Sequence, residues 1–408
     1  MRGAGCALVT ALCVGSGAST VEAQGTTLAV RGEVVHTMAG PPIEDGIVLI
    51  RDGTIQAIGP AADVTVPAGV ETLSARVVTP GLVDAHTVVG LAGYLNQEED
   101  QEQLERSAPM QPHLRAIDAY DAREPLVEWV RSFGVTTMHT GHAPGTLVSG
   151  QTMIVKTRGE TVDEAVVTPA AMVAATLGHA ARGENGASPG TRAKMLAMLR
   201  ARLVEAGAYV DKLASAEAGE APARDLELEA FGRVLARELP LLVTVQRSHD
   251  IMTAIRLARE FEIDMVLDGA AEAYLVRDQI RDSGYPVIVH PTMQRAAGET
   301  ENLSMETAAH LKAAGIPVAL QSGFEPYVPR TRVLLFEAGV AAANGLDFED
   351  ALATVTIDAA RILGIANRVG SLEVGKDGDV ALFDGDPFEY TTHCVGTVVE
   401  GGLVSEGR

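Results

Sequence analysis

The sequence predicts an α/β fold: a (β/α)8 barrel of the TIM type with a small β-sandwich formed by both chain ends. Three observations predict it. Strand-like and helix-like segments alternate from about residue 80 to residue 364, the pattern of a parallel sheet covered by helices. The later strand segments are short and continuously apolar, as strands buried on both faces are. Short alternating segments broken by turn residues stand near both ends of the chain.

Residues 1–23 read as a secretory signal peptide. Arg2 supplies the positive end, Ala7 to Val14 a short apolar run, and Val21-Glu-Ala23 a small-residue cleavage pattern. Export to a periplasmic or extracellular location is therefore expected. Cys6 and Cys13 fall within this segment, so only Cys394 remains and no intrachain disulfide is expected. No other run is long and apolar enough for a transmembrane helix.

The sandwich is assigned to residues 24–79 and 365–408. Gly46–Arg51 and Thr54–Gly59 flank Asp52-Gly53, a hairpin signal. Asp379–Asp384 and Gly396–Glu400 read as strands, with a turn at Gly401-Gly402 before Leu403-Val404. Either end alone has too few strands to be stable, so the two are expected to combine. The barrel, residues 80–364, is built on strands at Val77–Asp84, Val135–Thr140, Leu241–Val245, Met265–Asp268, Val287–His290 and Val318–Gln321. Helical patterns fall at Glu124–Phe133, Arg192–Leu213, Leu226–Glu238, Asp250–Glu262, Ala271–Ser283, Ser304–Ala314 and Thr331–Ala343. An open doubly wound sheet is the alternative, but no Gly-rich phosphate loop follows a first strand. Asn96–Tyr120 reads as a loop at the active-site end, its Gln97–Gln103 charge run solvated, and Ala214–Arg224 as a surface connection.

Of the 408 residues 47% are hydrophobic and only 4% aromatic, so the core is built mainly from Ala, Val, Leu and Ile. The net charge is −22. Such an acidic surface repels nucleic acid and anionic membranes, which leaves a small-molecule substrate or ligand as the expected partner. Homo-oligomerisation is left open.

The segment Thr79-Pro-Gly-Leu-Val-Asp-Ala-His-Thr-Val-Val-Gly90 carries the most specific chemistry. Residues two apart on a strand share a face, so Asp84, His86 and Val88 point the same way. Together with Ser149–Thr157, Gly315–Ser322, Ala359–Gly364 and Val369–Val380, this segment resembles the imidazolonepropionase-like amidohydrolases. The resemblance implies hydrolysis of non-peptide C–N bonds in amides, cyclic amides or amidines. It also implies one or two divalent metals, zinc foremost, at the carboxyl-terminal mouth of the barrel. There the metal would lower the pKa of a bound water. The ligands it implies are a His pair on strand 1, one His each on strands 5 and 6, and an Asp on strand 8 that doubles as general base.

Position by position, the first His of the pair is His86 and the second is Val88. Gln246 stands where the strand-5 His belongs, Asp268 and Gly269 at strand 6, and Gly323 where the Asp belongs. Only one donor of five is kept. Four imidazoles at strand ends, His86, His139, His142 and His290, are candidates for a relocated metal site, with His86 and His290 as acid/base candidates. The alternative is that they line a pocket without metal. Gln246 and Arg247 are substrate-binding candidates, Arg247 through bidentate pairing with an anion or else as a structural ion pair. Lys156, in an apolar run, reads as snorkelling or paired. The expected function is hydrolysis of non-peptide C–N bonds. The alternative is a catalytically inactive homologue that serves as a ligand-binding or scaffold protein.

Overall fold

In the computed structural model, residues 26–217, 221–292, 294–324 and 333–407 are described. The expected signal peptide lies outside them, as does the start of the helix expected from Thr331. Four strands come first: β1 (Thr27–Val35), β2 (Ile43–Arg51), β3 (Thr54–Pro60) and β4 (Glu71–Pro80). The central region holds β5 (Leu82–Thr87), β6 (Val135–Thr140), β7 (Val148–Gln151), β8 (Met153–Lys156), β9 (Val166–Thr168), β10 (Val173–Thr176), β11 (Leu241–Val245), β12 (Met265–Gly269), β13 (Val287–Val289) and β14 (Val318–Leu320). Then come β15 (Val380–Phe383), β16 (Cys394–Val399) and β17 (Gly402–Glu406).

Both chain ends share one seven-stranded sheet, ordered β17-β16-β15-β4-β1-β2-β3. The expected hairpin is present, with β2 and β3 antiparallel and Asp52 and Gly53 at positive φ of 50° and 80°. β4 is the joint between the ends: it runs parallel to β1 and antiparallel to β15. Val30, Val48, Ile50, Val78, Val380, Leu382 and Val398 form this sheet's own core. A single strand was expected over Val77–Asp84. It is two strands in two sheets, separated at Gly81, where a Cβ would lie 2.2 Å from Thr136 Oγ1. The backbone can turn there only because that atom is missing.

The central region is α/β with mixed sheets. β10 to β14 form a parallel ladder of consecutive neighbours. β7 adds antiparallel to β10, and a second sheet runs β5-β6-β8-β9 with β8 antiparallel to β6. These antiparallel pairs depart from the uniformly parallel ring expected. One bridge, Thr87–Gly323, links the end of β5 to the segment after β14, and no continuous ladder closes the ring among the described residues. Helices cover the outside, among them Arg192–Ser215, Leu226–Leu235, Ser248–Phe261 and Leu334–Ala343. Three of their starts are capped as their sequences suggest: Thr191 and Asp225 accept from the first turn, and Pro125 opens the helix Pro125–Arg131 behind Glu124.

The two layers are tied by Lys156 on β8. Its ammonium, 3% exposed, lies 2.5 Å from Asp379 and 2.9 Å from Asp377, both just before β15. It is thus a paired lysine. The Asn96–Tyr120 loop keeps its charge run mostly exposed, but its second half folds inward. Gln103, at the end of the charge run, and Gln111 and Tyr120 beyond it are buried, and Met110 and Arg115 bridge to Val148 and Gln151.

Candidate functional site

A cavity opens at the carboxyl ends of β5, β11, β12 and β14. Its lining includes His86, Val88, Thr244, Gln246, Asp268, Gln321 and Ser322. Carboxyl ends of parallel strands are where α/β folds place ligands, because the side chains of several strands converge there.

Asp268, 2% exposed, is the hub. His86 Nδ1 lies 3.0 Å from its Oδ1, Gln321 Nε2 donates to the same oxygen at 2.8 Å, and Thr244 Oγ1 donates to Oδ2 at 2.5 Å. Burial pushes Asp268 up, but the imidazole and these donors hold it below the ordinary carboxylate value. Burial likewise pulls His86 down, yet the Asp268 carboxylate, Asp84 and the His142 backbone together outweigh it and leave His86 above the usual imidazole value. His86 Nε2 has no hydrogen-bond partner; the His142 carbonyl is near enough to favour a proton there without making the bond. Facing a carboxylate, Nδ1 is the nitrogen that carries hydrogen, so a neutral His86 offers a lone pair on Nε2.

Asp84 lies behind this pair. Ser322 donates to it through both its backbone N–H, at 3.0 Å, and its hydroxyl. Burial pushes Asp84 up to about 6 despite those bonds. The Ser322 hydroxyl is therefore committed to Asp84, with Thr87 Oγ1 at 3.0 Å, and is not hydrogen-bonded to an imidazole that would make it a nucleophile.

The candidate residues separate cleanly. His86 and Gln246 line the cavity. Gln246 Oε1 accepts from the Ala271 N–H at 3.2 Å, which leaves its amide N–H2 to face other groups. Arg247 does not line the cavity: it holds Glu272 at 2.9 Å, Glu301 at 2.8 Å and the Gly298 carbonyl. Burial would raise Glu272, yet bonds from Ser248, Asn302 and Arg247 bring it down to about 2. Arg247 is thus the structural ion pair of the two readings offered above.

The relocated histidine site does not form. His139 spends Nδ1 on the Ala85 carbonyl at 2.7 Å and Nε2 on Thr152 Oγ1 at 2.6 Å. His142 has neither nitrogen bonded and sits buried against Gly150, where a Cβ would meet its Nε2 at 2.4 Å. His290 turns Nδ1 to the Pro291 carbonyl at 3.0 Å and does not line the cavity. Burial pushes His139 to about 3, His142 to about 4, and His290 also down, so all three are neutral at pH 7. The physical reason is that both His139 nitrogens are already spent, while the unbonded nitrogens of His142 and Nε2 of His290 do not converge with His86 on one point. Among the described residues no three His, Cys, Asp or Glu side chains are placed to hold a metal ion.

The family's own metal position fits no better. Val88 packs with Ala92 and Ala143, against Leu104 and Phe324, and offers no lone pair. Gly269 and Gly323 have no side chain, and the acceptor capacity of Asp268 is largely filled by three donors. A catalytic zinc takes three protein ligands; among the described residues lining this cavity, the one unpartnered imidazole nitrogen is His86 Nε2. Thr244 and Gln321 were not singled out from the sequence. Only their convergence on Asp268 marks them, and no local motif signals that.

The amidohydrolase family matches the chain over residues 273–405. An imidazolonepropionase from Rhizorhabdus wittichii is 29% identical over 392 residues, covering 85% of this chain and 91% of its own. The crystal structure of an amidohydrolase from Thermotoga maritima superposes with a TM-score of 0.88 at 28% identity, covering 93% of this chain and all of that one. A zinc-bound adenosine deaminase from Xanthomonas campestris, at 16% identity, TM-score 0.53 and 92% coverage of both chains, is alike in fold alone. Members of this superfamily typically use divalent metals. Over most of its length the chain is similar to imidazolonepropionases and to a solved amidohydrolase, which supports the amidohydrolase superfamily, imidazolonepropionase-like.

Proposed function

We propose that this protein binds a small molecule with a non-peptide C–N bond in the cavity at His86, at the mouth of a (β/α)8 barrel, without the family's cation. The observation that carries this reading is the buried, unpartnered Nε2 of His86, on a ring held from its other nitrogen by Asp268 at 3.0 Å. An orphaned buried nitrogen costs free energy unless something bonds it, and a ligand N–H or O–H would do so. The relatives' activity supports the class of ligand: imidazolonepropionase is the name of a protein alike over most of the chain.

A second reading, hydrolysis of that C–N bond, is favoured by the same ring. An imidazole held on a carboxylate through Nδ1 is suited to take a proton from water at Nε2. The resemblance puts Gly323, which has no side chain, where the usual general base belongs, so His86 in the same cavity is the group that would have to serve. The test is a panel of amides, lactams and amidines screened by thermal shift, with product formation followed by mass spectrometry. Stabilisation that disappears in His86→Phe supports binding; product formed by the wild type and not by His86→Phe selects hydrolysis. A panel without stabilisation or product, or ligands that bind His86→Phe equally well, overturns both.

A further inference from the structure

We propose that a hydrogen-bonded knot on Asp268 has taken over the work of the cation as the tie between strand ends, with Thr244 and Gln321 as positioning residues that fix His86. This deepens the cation-free reading above and rests on it.

The knot draws one side chain from each of four strand ends. His86 lies on β5, Thr244 on β11, Asp268 on β12, and Gln321 directly follows β14. These elements carry the positions at which the family resemblance implies metal ligands. A cation there would pull donor oxygens and nitrogens from separate strands onto one positive centre. Here the polarity is reversed. One carboxylate is the centre, and the N–H and O–H dipoles of three neighbouring strand ends converge on it at 3.0, 2.8 and 2.5 Å. Hydrogen bonds thus tie the four strand ends together. Backbone contacts reinforce the same closure: the Gly323 N–H donates to the His86 carbonyl at 3.0 Å.

This arrangement also works against a cation. The side-chain hydrogens of Thr244 and Gln321 point at the oxygens that an ion would need. The Gln321 amide is further fixed by a 3.4 Å contact to the Ile288 carbonyl. Binding an ion would require both donors to turn away and lose buried partners. The ion would also lose water against the Val88 wall, where the missing imidazole would have stood. Thr244 and Gln321 thereby serve His86. They hold Asp268 in one orientation, and Asp268 keeps the hydrogen of His86 on Nδ1 and its lone pair towards the cavity.

The experiment uses the full mature chain and no ligand, so it is independent of the panel above. The wild type, stripped with chelator, is titrated with Zn2+, Mn2+ and Fe2+ under calorimetry and thermal denaturation. The expected result is no stoichiometric uptake and no rise in melting temperature. Stoichiometric, chelator-reversible uptake that raises it overturns the proposal, and this arm needs no variant. In the second arm, the 15N ring signals of His86 are recorded in wild type, Thr244→Val, Thr244→Ser and Gln321→Leu as pH is raised until the ring is neutral. The expected result is a Nδ1–H pattern in wild type and Thr244→Ser, and loss of that single pattern in Thr244→Val and Gln321→Leu. A merely structural role would lower stability without moving those signals. Unchanged signals in folded Thr244→Val and Gln321→Leu overturn the positioning roles.

Discussion

Replacing Asp268 by Asn tests the site's electrostatics most directly. The change keeps the shape of the side chain and removes its charge. Wild-type Asp268 is 2% exposed and faces an imidazole whose proton affinity it raises. Removing one partner of a buried pair costs about 3–5 kcal/mol. The lower end, about 3 kcal/mol, is expected here, because an Asn oxygen still accepts from part of the Thr244, Gln321 and His86 set. The loss should depend on pH. His86 is raised above 6.5, so its share is complete below that value and fades as pH rises through the raised one. Asp268 is lowered from 3.8, so its share is complete above 3.8 and fades as pH falls through the lowered one. The stability difference between wild type and variant should therefore be widest between 3.8 and 6.5 and narrow on the alkaline side. Urea denaturation at pH about 5.5 and about 8.5 measures it. A difference under about 1 kcal/mol, or one equal at both pH values, would show that the pair is not ionic in the folded protein.

Other expectations follow from the same structure. Lys156→Met leaves buried Asp379 without its cation, while Asp377 keeps Arg368 at 2.9 Å, and should cost about 3 kcal/mol in urea denaturation; a cost near zero would mean that the tie between the layers lies elsewhere. His142, pushed by burial to about 4 from 6.5, contributes stability that is complete above 6.5 and lost as pH falls towards 4. That share is roughly 3 kcal/mol, and His142→Gln should flatten the acid-side fall in melting temperature; an unchanged slope would place the acid sensitivity in another group. Gly90→Ala puts a methyl 2.0 Å from Tyr120 Cε2 at a backbone φ of 87°. It should destabilise by about 1–3 kcal/mol or more in thermal denaturation, and a neutral result would show that the Tyr120 loop yields freely.

Much of the fold was legible because its signals are local. The Asp52-Gly53 hairpin, the apolar strands from Leu241 onward and the capped helices at Thr191 and Asp225 each depend on a few adjacent residues. The break at Gly81 was not legible, because what turns the chain there is the closeness of Thr136 on another strand. The antiparallel insertion of β7 and β8 was missed for a similar reason: strand direction is set by pairing partners, not by the pattern within a strand.

The site divides in the same way. Sequence alone determined that Val88, Gly269 and Gly323, the positions where the resemblance implies metal donors, have no side-chain lone pairs to give, since lone pairs belong to residue types. Only the tertiary structure decided what replaced them. His86 and Asp268 are 182 positions apart, and Gln321 lies 53 beyond Asp268, so no spacing rule connects them. Their partnership exists because β5, β11, β12 and β14 end side by side, and hydrogen bonds form only across a few ångströms of space, whatever their separation along the chain.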